Sequence, residues 1–132
     1  MPDTGFIILN YNTYERTARN VDIFIEHNKS VFVIVVDNLS PNDDYDKLVQ
    51  HYATREQIMV VQSGENGGYS KGNNFGIRKM LERYPDIKYI GIMNPDVRCE
   101  EDGMVEKLIG IMNGGGTRTW YLLPRSCSSI IT

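Results

Sequence analysis

Short apolar runs alternate along the chain with longer segments whose apolar residues recur at helical spacing. The apolar runs lie at 6–9, 31–36, 58–61 and 89–93, and the helical patterns at 13–27, 45–52, 70–83 and 105–112. Short apolar runs bounded by turn residues are typical of buried strands, whereas apolar positions three and four apart indicate helices with one buried face. The alternation predicts an α/β fold with a mostly parallel sheet and helices on both faces.

The pattern changes after Asn113. Three glycines at 114–116 precede a fifth candidate strand at 119–124, and the last residues up to Thr132 contain no further helical pattern. We expect a single domain over 1–132 with an atypical tail over 113–132. Because a sheet that ends on a strand looks cut short, the chain is expected either to be a truncated piece of a larger protein or to pair its tail with something else.

The stretch 87–97 joins the fourth strand to a polar turn. Pro95 lacks an N–H group and fixes φ, so the strand should end before it. Asp96 is then held just beyond the carboxyl end of the strand, where open α/β sheets bind ligands. A carboxylate placed there could hold a divalent cation together with a phosphate. Taken alone, however, Asn94-Pro95-Asp96 is more typical of an ordinary turn.

The carboxyl ends of the predicted strands carry polar residues. Right-handed crossovers place these ends along one rim of the sheet, and the residues there are Asn10, Asp37, Ser63 and Asn94. This alignment predicts that the rim carries the functional site.

The segment 65–76 is rich in glycine and asparagine, and it combines a turn with the start of the third helix. Gly72 and Gly76 fall inside the predicted helix, where each costs about 1 kcal/mol relative to alanine. A close backbone approach to a ligand or to a strand would explain both glycines. Lys71 could meet a phosphate as a point charge.

Three common phosphate-handling motifs are excluded by the sequence. A dinucleotide fingerprint requires G-x-G-x-x-G after the first strand, where this chain has Asn10-Tyr11-Asn12. The glycine spacing over 67–72 resembles a P-loop, but Asn73-Asn74 replaces the required Lys-Ser/Thr pair. A phospho-receiver would need acidic residues after the first strand, and none is present there.

Composition narrows the class of protein further. A formal net charge of −3 does not favour a nucleic-acid partner held by phosphate neutralisation. The sequence has no apolar run of the roughly 20 residues that a membrane span requires, and its N-terminus lacks a signal-peptide pattern. Cys99 and Cys127 are interpreted as two isolated thiols, which suits a reducing compartment. We expect a cytoplasmic protein, with the cytoplasmic face of a membrane as an alternative.

Four blocks of sequence, in this order, resemble family 2 glycosyltransferases with the GT-A fold, and in particular their rhamnosyltransferase-like branch. The blocks lie at 7–12, 35–40, 65–76 and 93–97, and Leu123-Pro124 is similar to the family's next strand end. The resemblance covers the N-terminal, nucleotide-binding half of such enzymes. It implies a Rossmann-like sheet that binds a nucleotide sugar.

The resemblance also implies roles for the matching residues. Tyr11 would lie against the base of a nucleoside diphosphate, and Asp37 would accept hydrogen bonds from uracil, thymine or ribose, unless it only caps the next helix. Lys71 and the backbone of Gly67 and Gly68 would lie near the diphosphate or the sugar. Two asparagines, Asn10 and Asn94, complete the implied donor-binding residues. Asn94 and Asp96 correspond to the two acids of the family's Asp-x-Asp motif, and Asp96 is the implied metal ligand. Asp96 would bind Mg²⁺ or Mn²⁺ that bridges the diphosphate.

The chain departs from the family pattern in two ways. Asn94 replaces the first acid of the commoner motif, so metal binding is expected to be weaker. No residue can be assigned as the general base for the attacking hydroxyl, because the acceptor half would follow the last residue; His27 and His51 fall on predicted helices away from the rim.

The predicted activity is the donor half of an inverting, metal-dependent transfer, and whether this length catalyses it is left open. A hexose or deoxyhexose would move from a UDP- or dTDP-linked donor to a glycan or lipid-linked acceptor in cell-wall or polysaccharide biosynthesis. Two alternatives remain: a non-catalytic nucleotide-sugar-binding module, and an inactive truncated fragment that covers an exposed sheet edge by forming a homo-oligomer.

Overall fold

The structure is a computed structural model that describes residues 2–64, 67–114, 121–122 and 129–131, with side chains described as far as residue 110. Its elements in chain order are β1 Thr4–Asn10, α1 Tyr14–His27, β2 Phe32–Asp37, α2 Asp44–His51, β3 Ile58–Gln62, α3 Gly68–Arg83, β4 Tyr89–Met93, α4 Met104–Gly114, β5 Tyr121–Leu122 and β6 Ser129–Ile131. The predicted succession of four strands and four helices is confirmed, and the boundaries differ by one or two residues.

The described strands form one sheet with the order β3-β2-β1-β4-β6-β5. The four strands β1 to β4 are parallel to one another, with β1 between β2 and β4. Strand β1 is therefore the centre of the parallel part, and all seven of its residues are buried. The α/β fold with a mostly parallel sheet agrees with the sequence prediction.

The tail of the chain extends this sheet. Strand β6 pairs antiparallel with β4, and β5 pairs antiparallel with β6. The tail therefore pairs within the chain's own sheet, and the outer strands of the described sheet are β3 and β5. Of the fifth strand predicted at 119–124, Tyr121 and Leu122 form β5, and the other four residues lie outside the described part of the chain. The edge of an unpaired strand exposes backbone N–H and C=O groups. Strand β6 supplies hydrogen-bond partners for these groups of β4.

Two hydrophobic clusters lie on opposite faces of the sheet. The larger joins strand residues such as Phe6 and Val33 to apolar residues of α1, α2 and α4, including Phe24, Leu48 and Leu108. The smaller joins the alternate strand residues to Met80 and partly buried residues of α3. Alternation along β1 and β2 thus sends successive side chains to different helix layers, and the prediction of helices on both faces is confirmed.

Contact between α1 and α2 includes a buried tyrosine. The hydroxyl of Tyr52 donates to Asp22 Oδ1 at 2.9 Å and lies 3.2 Å from the Ala18 carbonyl oxygen. Burial, together with the charge of Asp22, holds the pKa of Tyr52 above its ordinary value. The phenol therefore stays protonated as a hydrogen-bond donor.

The cysteine prediction is wrong for Cys99. This residue is fully buried and disulfide-bonded. The chain's other cysteine, Cys127, lies outside the described residues. The inference of a reducing compartment from two isolated thiols therefore loses its support. Among the described residues, no helix combines the length and the apolar character needed to cross a bilayer.

Helix α3 approaches the sheet closely at two glycines. A Cβ atom on Gly76 would lie 2.6 Å from Ile7 Cγ2 and 2.9 Å from Val36 Cγ2, and one on Gly72 would lie 2.5 Å from Leu9 Cδ1. These contacts are with side chains of strands β1 and β2. Of the two explanations considered for the helical glycines, the structure supports close approach to a strand.

Replacing Gly76 by alanine is expected to destabilise the protein. The new methyl group would collide with two buried, β-branched residues, and overpacking of this kind costs about 1–3 kcal/mol. The matched control is Gly110→Ala in α4, where a Cβ atom would meet no atom of the described residues within 4 Å. There the change should stabilise by about 0.5–1 kcal/mol. Urea unfolding of both variants measures the difference, and equal stabilities would contradict the close approach of α3.

Candidate functional site

A buried hydrogen-bond network joins the ends of β1 and β2. Asn10 is fully buried, and its Nδ2 donates to Asp37 Oδ1 at 3.1 Å and to Asp44 Oδ2 at 3.0 Å. Its Oδ1 accepts a hydrogen bond from Thr17 Oγ1 at 2.6 Å. One asparagine therefore ties two carboxylates to helix α1. The predicted meeting of Asn10 and Asp37 at the rim is confirmed.

Asp37 is also fully buried, and all its described partners are protein groups. Its carboxylate accepts hydrogen bonds from Ser40 Oγ at 2.6 Å, from Ser40 N at 3.1 Å, and from Gln62 Nε2 at 3.2 Å, besides the one from Asn10. Direct contact with a base or ribose would require one of these bonds to break. The alternative role as a cap for the next helix is wrong, because α2 begins at Asp44 with Asp43 as its N-cap.

Asp44 caps α1 from another element. Its Oδ2 accepts a hydrogen bond from the Tyr14 backbone N–H at 3.1 Å, at the first residue of α1. Thr13 is the N-cap residue of α1 but forms no side-chain cap hydrogen bond; its hydroxyl donates to Asn10 Oδ1 at 3.2 Å instead. Asp44 was missed because its target lies 30 residues earlier in the chain.

Two loops beside this network present exposed apolar side chains. Tyr11 is 43% exposed and Leu39 is 44% exposed. The backbone of Asn12 (φ 57°) and of Leu39 (φ 60°) is left-handed, a conformation that is unusual for leucine. Ser40 holds these loops together, since its Oγ accepts a hydrogen bond from Asn12 N at 2.9 Å. The ring of Tyr11 is therefore available to a planar ligand group.

The N-terminal turn of α3 brings glycine backbone and a lysine to the same edge. Gly68 has a left-handed φ of 84°, which explains a glycine at that position. The Lys71 side chain crosses Gly67 so closely that a Cβ atom there would lie 2.4 Å from Lys71 Cδ. Asn38, which is buried after β2, donates from Nδ2 to the Gly68 carbonyl oxygen at 3.3 Å. The glycine segment is thus fixed to the end of β2.

The turn after β4 leaves Asp96 exposed while its backbone is anchored. Val97 N donates to the Asn94 carbonyl oxygen at 3.2 Å, which closes the turn. Asn20 Nδ2 on α1 donates to the Pro95 carbonyl oxygen at 2.8 Å. The Asp96 carboxylate is exposed and forms no hydrogen bond or ion pair with the residues that the structure describes. Asn94, also exposed, accepts a hydrogen bond at Oδ1 from the Tyr69 hydroxyl at 2.6 Å.

Neither a cluster of metal-binding side chains nor a histidine lies at the described rim. The described part of the chain has no group of three or more His, Cys, Asp or Glu side chains that could hold a metal ion. His27 Nδ1 is paired with Asp102, and His51 Nε2 lies 2.8 Å from Asp22 Oδ2. Both histidines lie on α1 or α2 rather than at the carboxyl ends of the strands, in agreement with the sequence prediction.

One buried polar group was not anticipated. Asn73 is 3% exposed, and its Oδ1 has no hydrogen-bond partner within the described structure. It follows Gly72 on α3, one helical turn after Tyr69, so it shares a face with that residue. A polar residue at an inward helical position was the signal that could have singled it out.

A cavity of about 640 Å³ lies away from the rim. It is lined by residues before β2 and β3 and at the end of α3, such as Lys29, Gln57 and Arg83. A smaller cavity of about 180 Å³ lies at the end of β3 and is lined by Ser63, Lys71 and Arg78 with two further residues of α3. Since only the smaller one contains a predicted donor-binding residue, size alone does not identify the site.

Residues 6–124 match the family described as Glycosyl transferase family 2. The chain belongs to this family. Agl10 of Haloferax volcanii, a low-salt glycan biosynthesis hexosyltransferase, is 28% identical over 106 residues, which cover 80% of this chain and 32% of that protein. The chain therefore spans about a third of the length of this curated relative.

Solved structures share the fold. Mannosyltransferase PcManGT from Pyrobaculum calidifontis, in complex with GDP-Man and Mn²⁺, matches with a TM-score of 0.68 at 16% identity. The matched region covers 82% of this chain and 31% of the mannosyltransferase chain. The corresponding values for S. aureus TarS 1–349 are a TM-score of 0.65, 16% identity, and coverage of 96% and 39%. The fold of this family 2 member is GT-A, as its sequence blocks implied.

Replacing Asp37 by asparagine is expected to destabilise the protein. An amide in that position would point an NH₂ group at donors that now meet a carboxylate, and lost hydrogen bonds to a charged group cost about 1.5–3 kcal/mol. Urea unfolding measures this loss. The matched control is Asp86→Asn, an exposed acid before β4, which should change stability by less than about 0.5 kcal/mol. A stability of the Asp37 variant equal to that of the control would contradict the structural role of this carboxylate.

Proposed function

We propose that this chain is the nucleotide-sugar-binding part of an inverting, metal-dependent family 2 glycosyltransferase. The observation that carries the proposal is the contrast among the three rim aspartates. Asp37 and Asp44 are buried and bonded to protein donors, whereas Asp96 is exposed on an anchored turn. An exposed carboxylate held at the carboxyl edge of an α/β sheet is suited to a ligand rather than to the fold.

The donor set fits a hard divalent cation that is shared with a phosphorylated ligand. Mg²⁺ commonly binds through one or two carboxylates together with substrate phosphates and waters, and the described rim offers the carboxylate of Asp96. Manganese has similar oxygen ligands, and the ion is proposed to be Mg²⁺ or Mn²⁺. When bound, it would stabilise negative charge on the departing nucleoside diphosphate.

The nucleotide is proposed to lie across the rim from Tyr11 toward α3. The exposed ring of Tyr11 would give stacking area to the base. The backbone of Gly67 and Gly68 opens a 16-residue helix, whose N-terminus favours an anionic group, and Lys71 adds a positive charge. The parts of Asn10 and Asp37 are proposed to be indirect, because their side chains hold the loops that present Tyr11.

The choice of nucleotide is the least constrained part of the proposal. The family resemblance favours a UDP- or dTDP-linked donor, while the mannosyltransferase of similar fold was solved with GDP-Man. The transferred group is proposed to be a hexose or deoxyhexose, since the curated relative is a hexosyltransferase of glycan biosynthesis. The acceptor is proposed to be a glycan or a lipid-linked sugar.

The general base is proposed to lie in the region that corresponds to the other two thirds of the relative. Both histidines are paired with carboxylates away from the rim. The described residues therefore support donor binding more directly than transfer, and this favours a second candidate function for the chain by itself, a nucleotide-sugar-binding module without transfer activity. The cytoplasmic location stays a prediction that cell fractionation would test.

The proposal predicts metal-dependent nucleotide binding that needs Asp96. Thermal unfolding is measured with UDP, dTDP, GDP and their hexose conjugates, each with and without Mn²⁺. At about a hundred times its Kd, a bound ligand stabilises the folded state by about 2.7 kcal/mol, which should raise the midpoint by several degrees. Asp96→Asn should abolish the Mn²⁺-dependent part of this rise, and the control Asp86→Asn should retain it.

Absence of any rise in a folded wild-type chain would overturn donor binding. A rise without transfer or donor hydrolysis would favour the module without transfer activity. A rise that is independent of Mn²⁺ and unaffected by Asp96→Asn would reject the metal site while leaving nucleotide binding in place.

A further inference from the structure

The side chains of Tyr69 and Asn94 connect the first turn of α3 to the turn that follows β4. Tyr69 lies in the first turn of α3 and is 51% exposed. Its hydroxyl reaches Asn94 Oδ1, 25 residues away, at 2.6 Å. The contact lies beside the turn that carries Asp96, and it ties that turn to α3.

The Asn94 amide presents its oxygen to the tyrosine. The Tyr69 hydroxyl lies 2.6 Å from Asn94 Oδ1, a usual length for an O–H···O hydrogen bond. With Oδ1 facing Tyr69, the Nδ2 group points to the other side. That group carries two N–H donors and no acceptor.

We propose that Tyr69 is a positioning residue that makes Asn94 a hydrogen-bond donor toward the oxygens of a nucleoside diphosphate. This inference rests on the proposed donor site. With Oδ1 engaged by the phenol, Asn94 offers N–H groups to anionic oxygens, and Asp96 supplies the carboxylate for the cation. The two residues of the turn then have opposite roles, one as a donor to phosphate or ribose oxygen and one as a metal ligand.

The arrangement gives a reason for asparagine at position 94. An aspartate there would offer Tyr69 the same acceptor but would turn a second anionic oxygen toward the diphosphate. Asparagine keeps the acceptor for Tyr69 and replaces the second oxygen by a donor, which is attracted to phosphate. The loss of one negative charge that was expected to weaken metal binding is then offset by direct contact with the nucleotide.

A double-mutant cycle tests this mechanism. Calorimetry measures the Kd for whichever of UDP, dTDP and GDP binds the wild type most tightly with Mn²⁺, in the wild type, Tyr69→Phe, Asn94→Ala and the double variant. Because one positioning hydrogen bond is lost, Tyr69→Phe should weaken binding about fivefold. In the Asn94→Ala background the same change should have no further effect, since the group that it positions is absent.

A matched control separates the hydroxyl at the rim from a general effect of losing a phenol. Tyr84 follows the C-terminal end of the same helix, and its ring contacts Phe32 at a centroid distance of 4.9 Å. Tyr84→Phe keeps that ring contact and should leave the Kd unchanged. Asn94→Asp supplies the opposite test of the amide: it should weaken nucleotide binding in the presence of saturating Mn²⁺.

Three results would overturn the inference. An unchanged Kd in Tyr69→Phe would show that the hydroxyl is not needed, and multiplicative losses in the double variant would show that Tyr69 contacts the ligand itself. Tighter binding by Asn94→Asp would show that an oxygen at this position is the functional group. These outcomes leave donor binding intact, whereas a wild type that binds no nucleotide would reject both the proposed function and this inference.

Discussion

The structure of the rim depends on the hydrogen bonds that Asn10 makes with Asp37 and Asp44. Buried carboxylates are costly unless donors surround them, and these two are supplied with two side-chain amides, one hydroxyl and two backbone N–H groups. The same bonds fix the end of β1 to the end of β2 and to the start of α1. Because a network with partners missing would be worse than an apolar core, the rim is specified as a unit. The loops with Tyr11 and Leu39 are held in their left-handed conformations beside it.

The glycines of α3 set the second boundary of the site. Gly72 and Gly76 let the helix backbone lie against Leu9, Ile7 and Val36, and this closeness determines where the first turn of α3 meets the rim. Gly68 and Lys71, two of the residues proposed to lie near the diphosphate, stand on that first turn. Packing against the sheet and presentation of the ligand-binding groups are therefore consequences of the same two missing side chains.

The layers and the parallel core of the fold followed from the sequence because strands buried on both faces and amphipathic helices have distinct apolar periods. The polar rim could be located for the same reason, since parallel strands end at one edge. The role of each polar residue there could not be predicted. Asp37 and Asp96 both lie near the carboxyl ends of strands, yet Asp37 meets Gln62, 25 residues away, while Asp96 is exposed. A hydrogen bond to a residue that is distant in sequence leaves no local sequence pattern. For the same reason the pairing of β6 with β4 and the capping of α1 by Asp44 were not predicted.

Helix α1 transmits the order of the buried network to the exposed turn. Its first residue is fixed by Asp44, and six residues further on Asn20 holds the Pro95 carbonyl oxygen. On the opposite face of the sheet, Tyr69 holds Asn94 from α3. The turn that carries Asp96 is thus anchored from both layers before any ligand arrives. A ligand binds less tightly when its binding must also order a flexible loop. Because this turn is already anchored, a ligand would lose less affinity in ordering it. The exposed carboxylate can in this way remain unpaired by described protein groups and still be well placed.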